Sequence, residues 1–173
     1  MPSTTAPPTR EHAQRILRDE RARVLALLDA LPPRAFVRPG LGAGDWSPKD
    51  LLGHLESWQE HALAALDAWS RGERAPIDDA LRARGLTRVN LDEVARKAAR
   101  TPAAMRSSAA TTHAAMLDAI AAVPPARWTV PPLPRARLPL GLKIGRILAG
   151  PGLFDHDAAH LKDLRAFVAE HGR

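Results

Sequence analysis

Along this chain apolar and polar positions recur with the period of an α-helix in four stretches, and prolines mark where those stretches stop. In residues 9–31, TREHAQRILRDERARVLALLDAL, the side chains of Ile16, Leu17, Val24, Leu27, Leu28 and Leu31 return to one helical face, and Pro32-Pro33 ends the run. A second helix is predicted over SPKDLLGHLESWQEHALAALDAW. Ser47 can cap it, Pro48 takes the first helical position, where a missing N–H costs nothing, and Asp50 complements the positive helix end. Leu51, Leu55, Trp58, Ala62, Leu66 and Trp69 form its apolar stripe, with His54 at the stripe's edge, toward the core margin.

The longest helical signal covers residues 89–123. Asn90 is the expected cap, Glu93 completes a capping-box pattern, and Thr101-Pro102 is expected to kink or divide the run. Met105, Ala109, Thr112, Met116 and Ile120 make its buried face, and Pro124-Pro125 stops it. The connection before it, residues 71–86, reads as loop with one helical turn at Asp78 to Arg84. Residues 124–139 are too proline-rich for helix or central strand and read as a long crossover packed through Trp128 and Leu133. A short helix over LGLKIGRILAGPG follows, then a break at Gly150-Pro151-Gly152, then a last helix from Leu153 to Glu170 that Gly172 ends. Four substantial helices without strand alternation predict an all-α four-helix bundle with long crossover connections, one domain over residues 1–173, with residues 1–8 a flexible N-terminus.

Composition narrows the chemistry. With 173 residues, 45% of them hydrophobic, the chain can bury a core without staples. It has no cysteine, which excludes disulfides, thiolate metal ligands and a cysteine nucleophile. The opening residues lack the apolar core of a signal peptide and no run suits a membrane span, so a cytoplasmic protein with no membrane partner is expected. The formal charge of +6 raises the question of nucleic acid. The arginines are interspersed with Asp and Glu, however, and there is no tyrosine and little phenylalanine to stack on bases, so nucleic acid is disfavoured. A small-molecule substrate and a homodimer are the expected partnerships.

The segment FDHDAAHLKDL carries the sharpest chemical signal. His156 and His160 stand four apart, the helical spacing that lets two imidazoles meet one ion. His54 lies beside the apolar face of the second helix as this pair lies beside that of the last, so a bundle can bring a third imidazole to them. Three imidazoles make an open site of the kind catalytic metals use. Asp155 or Asp157 could hold a ring N–H, and the start of the helix favours neutral imidazole. Residue patterns alone leave two readings in equal weight: metal ligands, or buried histidines bonded to carbonyls and carboxylates. His113 reads as a core histidine and His61 as exposed; Trp46 is a candidate for the pocket mouth, while Glu56, Glu60 and Asp157 read as solvated helix residues.

WSPKDLLGHLESWQEH resembles the second-helix signature of the DinB/YfiT-like superfamily, in which Trp-Ser leads through an apolar pair to a histidine followed by Leu. FDHDAAHLKDL is similar to that superfamily's final helix, and residues 87–120 are similar to its third. The resemblance implies a four-helix bundle connected up-down-down-up, and a divalent metal, nickel or zinc, held by His54, His156 and His160. Relatives include transferases and isomerases that use mycothiol or bacillithiol, and ClbS/DfsB-like protective proteins. It therefore implies a metal-dependent enzyme that activates an external low-molecular-weight thiol or water against a small electrophile, as an S-transferase or a hydrolase. No acid, base or other catalytic residue is assigned. Two alternatives stand beside this: a non-catalytic protein that sequesters a reactive molecule, and a structural helical dimer without metal.

Overall fold

The computed structural model describes residues 6–42 and 45–172. Its helices are α1 (Arg10–Asp29), α2 (Pro33–Phe36), α3 (Pro48–Ser70), α4 (Pro76–Arg84), α5 (Leu86–Lys97), α6 (Pro102–Ala122), α7 (Pro125–Trp128), α8 (Leu140–Ile147) and α9 (Leu161–His171), with a 3-10 helix at His156–His160 leading into α9. The fold is all-α. Among the described residues no helix is long and apolar enough to cross a membrane. Of the N-terminal segment expected to be flexible, residues 1–5 lie outside the described residues, and the Pro8 carbonyl accepts a hydrogen bond from the Trp128 indole at 2.7 Å.

Local signals set most helix starts. The Ser47 hydroxyl accepts from the Asp50 amide while the Asp50 carboxylate accepts from the Ser47 amide, a complete capping box at the head of the helix that carries His54. Thr101 caps α6, so Thr101-Pro102 divides the third run into two helices. Asn90 is not the cap it was expected to be. Gly85, at φ +76°, lets the chain turn and start α5 at Leu86, and Asn90 lies inside that helix. The single turn expected at Asp78 to Arg84 is a nine-residue helix: Pro76 occupies its first turn, with acidic residues at the start and Arg82 and Arg84 at the end. Even the proline-rich crossover holds one short helix, α7, with Pro125 at its start.

The last helix departs most from expectation. Residues 150–155 form a tight loop, and the histidine-bearing turn is 3-10, with α-helix only from Leu161. Phe154 sits at φ +66°, outside helical conformation, and the His156 amide is drawn to the Leu148 carbonyl at 3.1 Å. These constraints tighten the first turn.

Side-chain contacts give the helix directions. Arg10, at the start of α1, bonds the Ala121 and Val123 carbonyls at the end of α6, while Arg106 near the start of α6 bonds Asp29 at the end of α1; these two helices are antiparallel. Thr112 bonds Glu56 and His113 bonds Gln59 in the same order along the chain, and Gly53 faces Met105, so α3 and α6 run parallel. Arg21 bonds Asp157, and the end of α9 at Gly172 approaches Ala30, so α1 and α9 run parallel. Up-down-down-up is the result.

The apolar interior is in two parts. One gathers Leu17, Trp58, Ala62, Met116, Ile120, Trp128, Ile144 and Phe154; the other gathers Val24, Leu28, Leu51, Leu55, Met105, Ala109, Leu161 and Leu164. Between them each long helix contributes polar residues at one level: Arg21 from α1, His54, Glu56 and Gln59 from α3, His113 from α6, and His156 with Asp157 from the 3-10 turn.

Candidate metal centre

His54 sits two turns into α3 and is only 2% exposed, more deeply buried than its edge position in the apolar stripe suggested. α3 is the central helix, packed on both α5 and α6, so even its flanks are covered. His156 and His160 arrive from the opposite side on the 3-10 turn, which a small hydrogen-bonded loop holds in place. The Asp155 carboxylate accepts from the Gly150 and Gly152 amides at 2.9–3.0 Å. A side chain at Gly150 would collide with the Asp155 carbonyl, its Cβ only 2.4 Å away, so this loop closes only with glycine there.

The three imidazoles meet through their Nε2 atoms. His54 Nε2 lies 3.2 Å from His156 Nε2, which lies 3.4 Å from His160 Nε2. These rings cannot satisfy each other by hydrogen bonding, because a neutral ring nitrogen offers one proton or one lone pair and His156 Nε2 faces two partners. A tetrahedral zinc ion bonded to nitrogen at about 2.0–2.1 Å holds its ligand atoms about 3.3 Å apart, the spacing of the two pairs that His156 makes. All three donor atoms lie within 4.8 Å of one another, and the group could hold a metal ion.

Electrostatics favour the ligating form. Burial, followed by the charges that His156 and His160 would carry and by Lys97, pushes the His54 imidazole down to about 2. Burial and His160 push His156 down to about 4, and burial lowers His160. Each ring is therefore neutral near pH 7, with a lone pair for an ion. On the far side of His54, Nδ1 is buried and meets no acceptor among the described residues. Trp46 lies against the His54 ring at 4.8 Å between centroids, and Trp58 presents its edge to His54 and His156. A cavity of about 250 Å³ opens beside the triad, lined also by Trp58, Leu86, Asn90, Arg146 and Ile147.

The carboxylates near the histidines have other work. Asp157 is buried in a two-bond ion pair with Arg21, at 2.5 and 3.3 Å, instead of lying in solvent or holding a ring N–H. Asp155 is taken by the glycine amides. Glu56, expected to be solvated, is 1% exposed and bonds Lys97 at 2.7 Å and Arg100 at 2.8 Å; Lys97 is itself 1% exposed and also donates to the Gly53 carbonyl. Glu60 reaches Arg96 at 2.6 Å and Lys97 at 3.2 Å. His113, read as a core histidine, is half-buried, and it bonds Gln59 at 3.0 Å, away from the triad. His61 packs against Trp58 and lies 3.4 Å from Glu93, so it is not simply exposed.

Two residues at the cavity escaped the sequence reading. Asn90 accepts from the Trp58 indole at 3.2 Å, fixing one wall. Arg146 lines the cavity from α8, and nothing in its own sequence neighbourhood distinguishes it from the other surface arginines. Arg21 could have been found, because it interrupts the apolar stripe between Leu17 and Val24 on the buried face of α1.

Residues 17–147 match the family model of the mycothiol maleylpyruvate isomerase N-terminal domain. The chain belongs to this family. The family is part of the DinB/YfiT-like superfamily that the motifs resemble, and the all-α bundle agrees with it. The matched span contains His54 and stops short of His156 and His160, so the convergence of the three rings is a finding of the fold and not of the match. No curated protein and no solved structure matches the chain.

Proposed function

We propose that this protein is a metal-dependent enzyme in which His54, His156 and His160 hold one divalent ion, zinc or nickel, and in which a low-molecular-weight thiol is activated against a small electrophile. The observation that carries the proposal is the meeting of three neutral Nε2 atoms at 3.2 and 3.4 Å, a spacing that suits an ion and that hydrogen bonding leaves unsatisfied. An ion at this triad supplies positive charge that lowers the pKa of an incoming thiol or water and makes it a nucleophile near neutral pH.

The remaining parts of the site favour a thiol over water. Among the described residues no carboxylate lines the cavity, and Glu56, Asp155 and Asp157 are already paired. A released proton therefore passes to solvent at the cavity mouth, with no general base in the wall. A thiol, with an ordinary pKa of about 8.5, needs a far smaller shift than water, at about 15.7, to ionise without such a base. The family name points the same way, since mycothiol is a thiol. Trp46 lies against the His54 ring, Trp58 packs on His156, and Asn90 holds the Trp58 ring in place.

Elemental analysis of the protein beside its His156→Ala/His160→Ala variant tests the first half of this reading. About one ion per chain, lost in the variant, is expected; no ion in either sample after incubation with zinc or nickel ends it. For the second half, chlorodinitrobenzene is supplied with N-acetylcysteine. Consumption of many equivalents per chain supports an enzyme, whereas saturation at one equivalent indicates a protein that sequesters.

A further inference from the structure

The cavity beside the triad does not end there. A second cavity, of about 390 Å³, shares Trp58, Leu86, Arg146 and Ile147 with it, so the two form one cleft running from the histidines along α8 toward α4. Two cations project into the outer part from one face of α8, at i and i+3. Lys143 lies over the Trp69 ring at 4.7 Å and stands 3.9 Å from Asp78. Arg146 borders both cavities, and among the described residues no carboxylate pairs with it. Among the described residues Asp78 is the one acidic residue lining the cleft, against Lys143 and Arg146, so this lining carries a net positive charge.

Beside the triad, the two cations and Asp78, the cleft walls are apolar apart from Asn90, whose side-chain oxygen is taken by the Trp58 indole. Leu86, 56% exposed, stands at the rim and lines the cleft together with Trp58 and Ile147. The guanidinium fork suits two oxygens of an oxyanion, and the aromatic and aliphatic walls suit a hydrocarbon.

We propose that Lys143 and Arg146 form an anion subsite of this cleft. The molecule it takes is an organic anion, a carboxylate, sulfonate or phosphate, joined through an apolar segment to the atom that reacts at the triad. The subsite stands on the cleft's own lining; only the statement of which end reacts rests on the metal reading above.

Displacement of anilinonaphthalene sulfonate, followed by fluorescence, tests it, with octanoate and octanol as competitors. They share a chain and differ in charge. Wild type is compared with Lys143→Met, Arg146→Met and Arg127→Met; Arg127 lines a separate apolar cavity beside Val123 and Pro124 and serves as control. Octanoate is expected to compete better than octanol, and Arg146→Met to weaken octanoate about tenfold, the loss that follows removal of one charge-assisted hydrogen bond. Octanol should change less than twofold in that variant, and Arg127→Met should change neither. Equal competition by the two, or octanoate binding that ignores Arg146 or depends on Arg127, overturns the subsite.

Metal content measured on the same samples keeps the two readings apart. Wild-type metal with unaltered octanoate binding in Arg146→Met overturns the subsite alone. No metal in any sample, with octanoate binding that still depends on Arg146, leaves the subsite standing and overturns the metal reading.

Discussion

Arg21 and Asp157 show what a single buried pair does at this site. Both are nearly inaccessible, and their two bonds tie the middle of α1 to the turn that carries His156 and His160. Breaking one partner of a buried pair leaves an uncompensated charge and costs about 3–5 kcal/mol, whereas replacing both by apolar groups is often tolerated. Arg21→Met should therefore lower stability in urea unfolding by that amount, and Arg21→Met/Asp157→Leu should recover much of it. Zinc affinity should remain low in both, because the tether is gone from each; recovery of affinity in the double variant would show that the pair does not position the turn. His113 supplies a pH signature. Burial, with the Arg21 guanidinium close by, pushes its imidazole down to about 4. The unfolded ring titrates near 6.5, so its neutral form contributes stability that is present above that pH and is lost as pH falls toward 4. In His113→Gln the decline in stability between pH 6.5 and 4 should be shallower, as read from urea midpoints across that range.

Among elements, α8 and the loop after it place the second half of the triad. Alanine favours a helix over glycine by about 1 kcal/mol, so Gly145 would be an obvious target for stabilisation. A Cβ there, however, stands 2.7 Å from the Phe154 ring and 3.2 Å from the Leu153 Cβ, and the ring has no free end to swing away. Gly145→Ala should thus destabilise by about 1–3 kcal/mol in thermal unfolding and reduce zinc affinity, since Phe154 lies two residues from His156. An unchanged melting temperature would mean that the loop has room that the structure does not show. His54, the remaining member of the triad, is carried by α3, whose head is the Ser47–Asp50 box. Ser47→Ala should cost about 1 kcal/mol and leave metal content intact, because His54 lies beyond the first turn. The Ser47 cap was readable from sequence, as were the division at Thr101-Pro102 and the proline stops, since each depends on residues within a few positions of one another. Asn90 was misread for the same reason: a cap pattern is local, and Gly85, upstream, offered the chain an earlier start.

For the whole molecule, the polar level between the two apolar clusters is the feature that joins stability to chemistry. It brings three desolvated imidazoles together without enough protein partners to satisfy them, so an ion should bind the folded state and not the unfolded one. Zinc at about a hundredfold excess over its dissociation constant adds about 2.7 kcal/mol. The melting temperature should rise with zinc in the wild type and stay flat in His54→Ala, as calorimetry would record; an equal rise in both would place the ion elsewhere.

The number of long helices, most of their boundaries and the candidate ligands were legible in the sequence, because apolar period, caps and prolines act over a few residues and because two histidine-bearing motifs resemble a superfamily. Tertiary structure decided the rest. His54 and His156 are 102 positions apart and touch only because α3 is enclosed while the 3-10 turn is held by Arg21 and a glycine loop. Glu56 read as a solvated helix residue, and its burial against Lys97 comes from α5 lying across α3. Arg146 acquires its meaning from the cleft that α3, α4, α5 and the 3-10 turn build around it. Periodicity tells a residue which face of its own helix it occupies; what that face meets depends on packing between elements far apart in the chain.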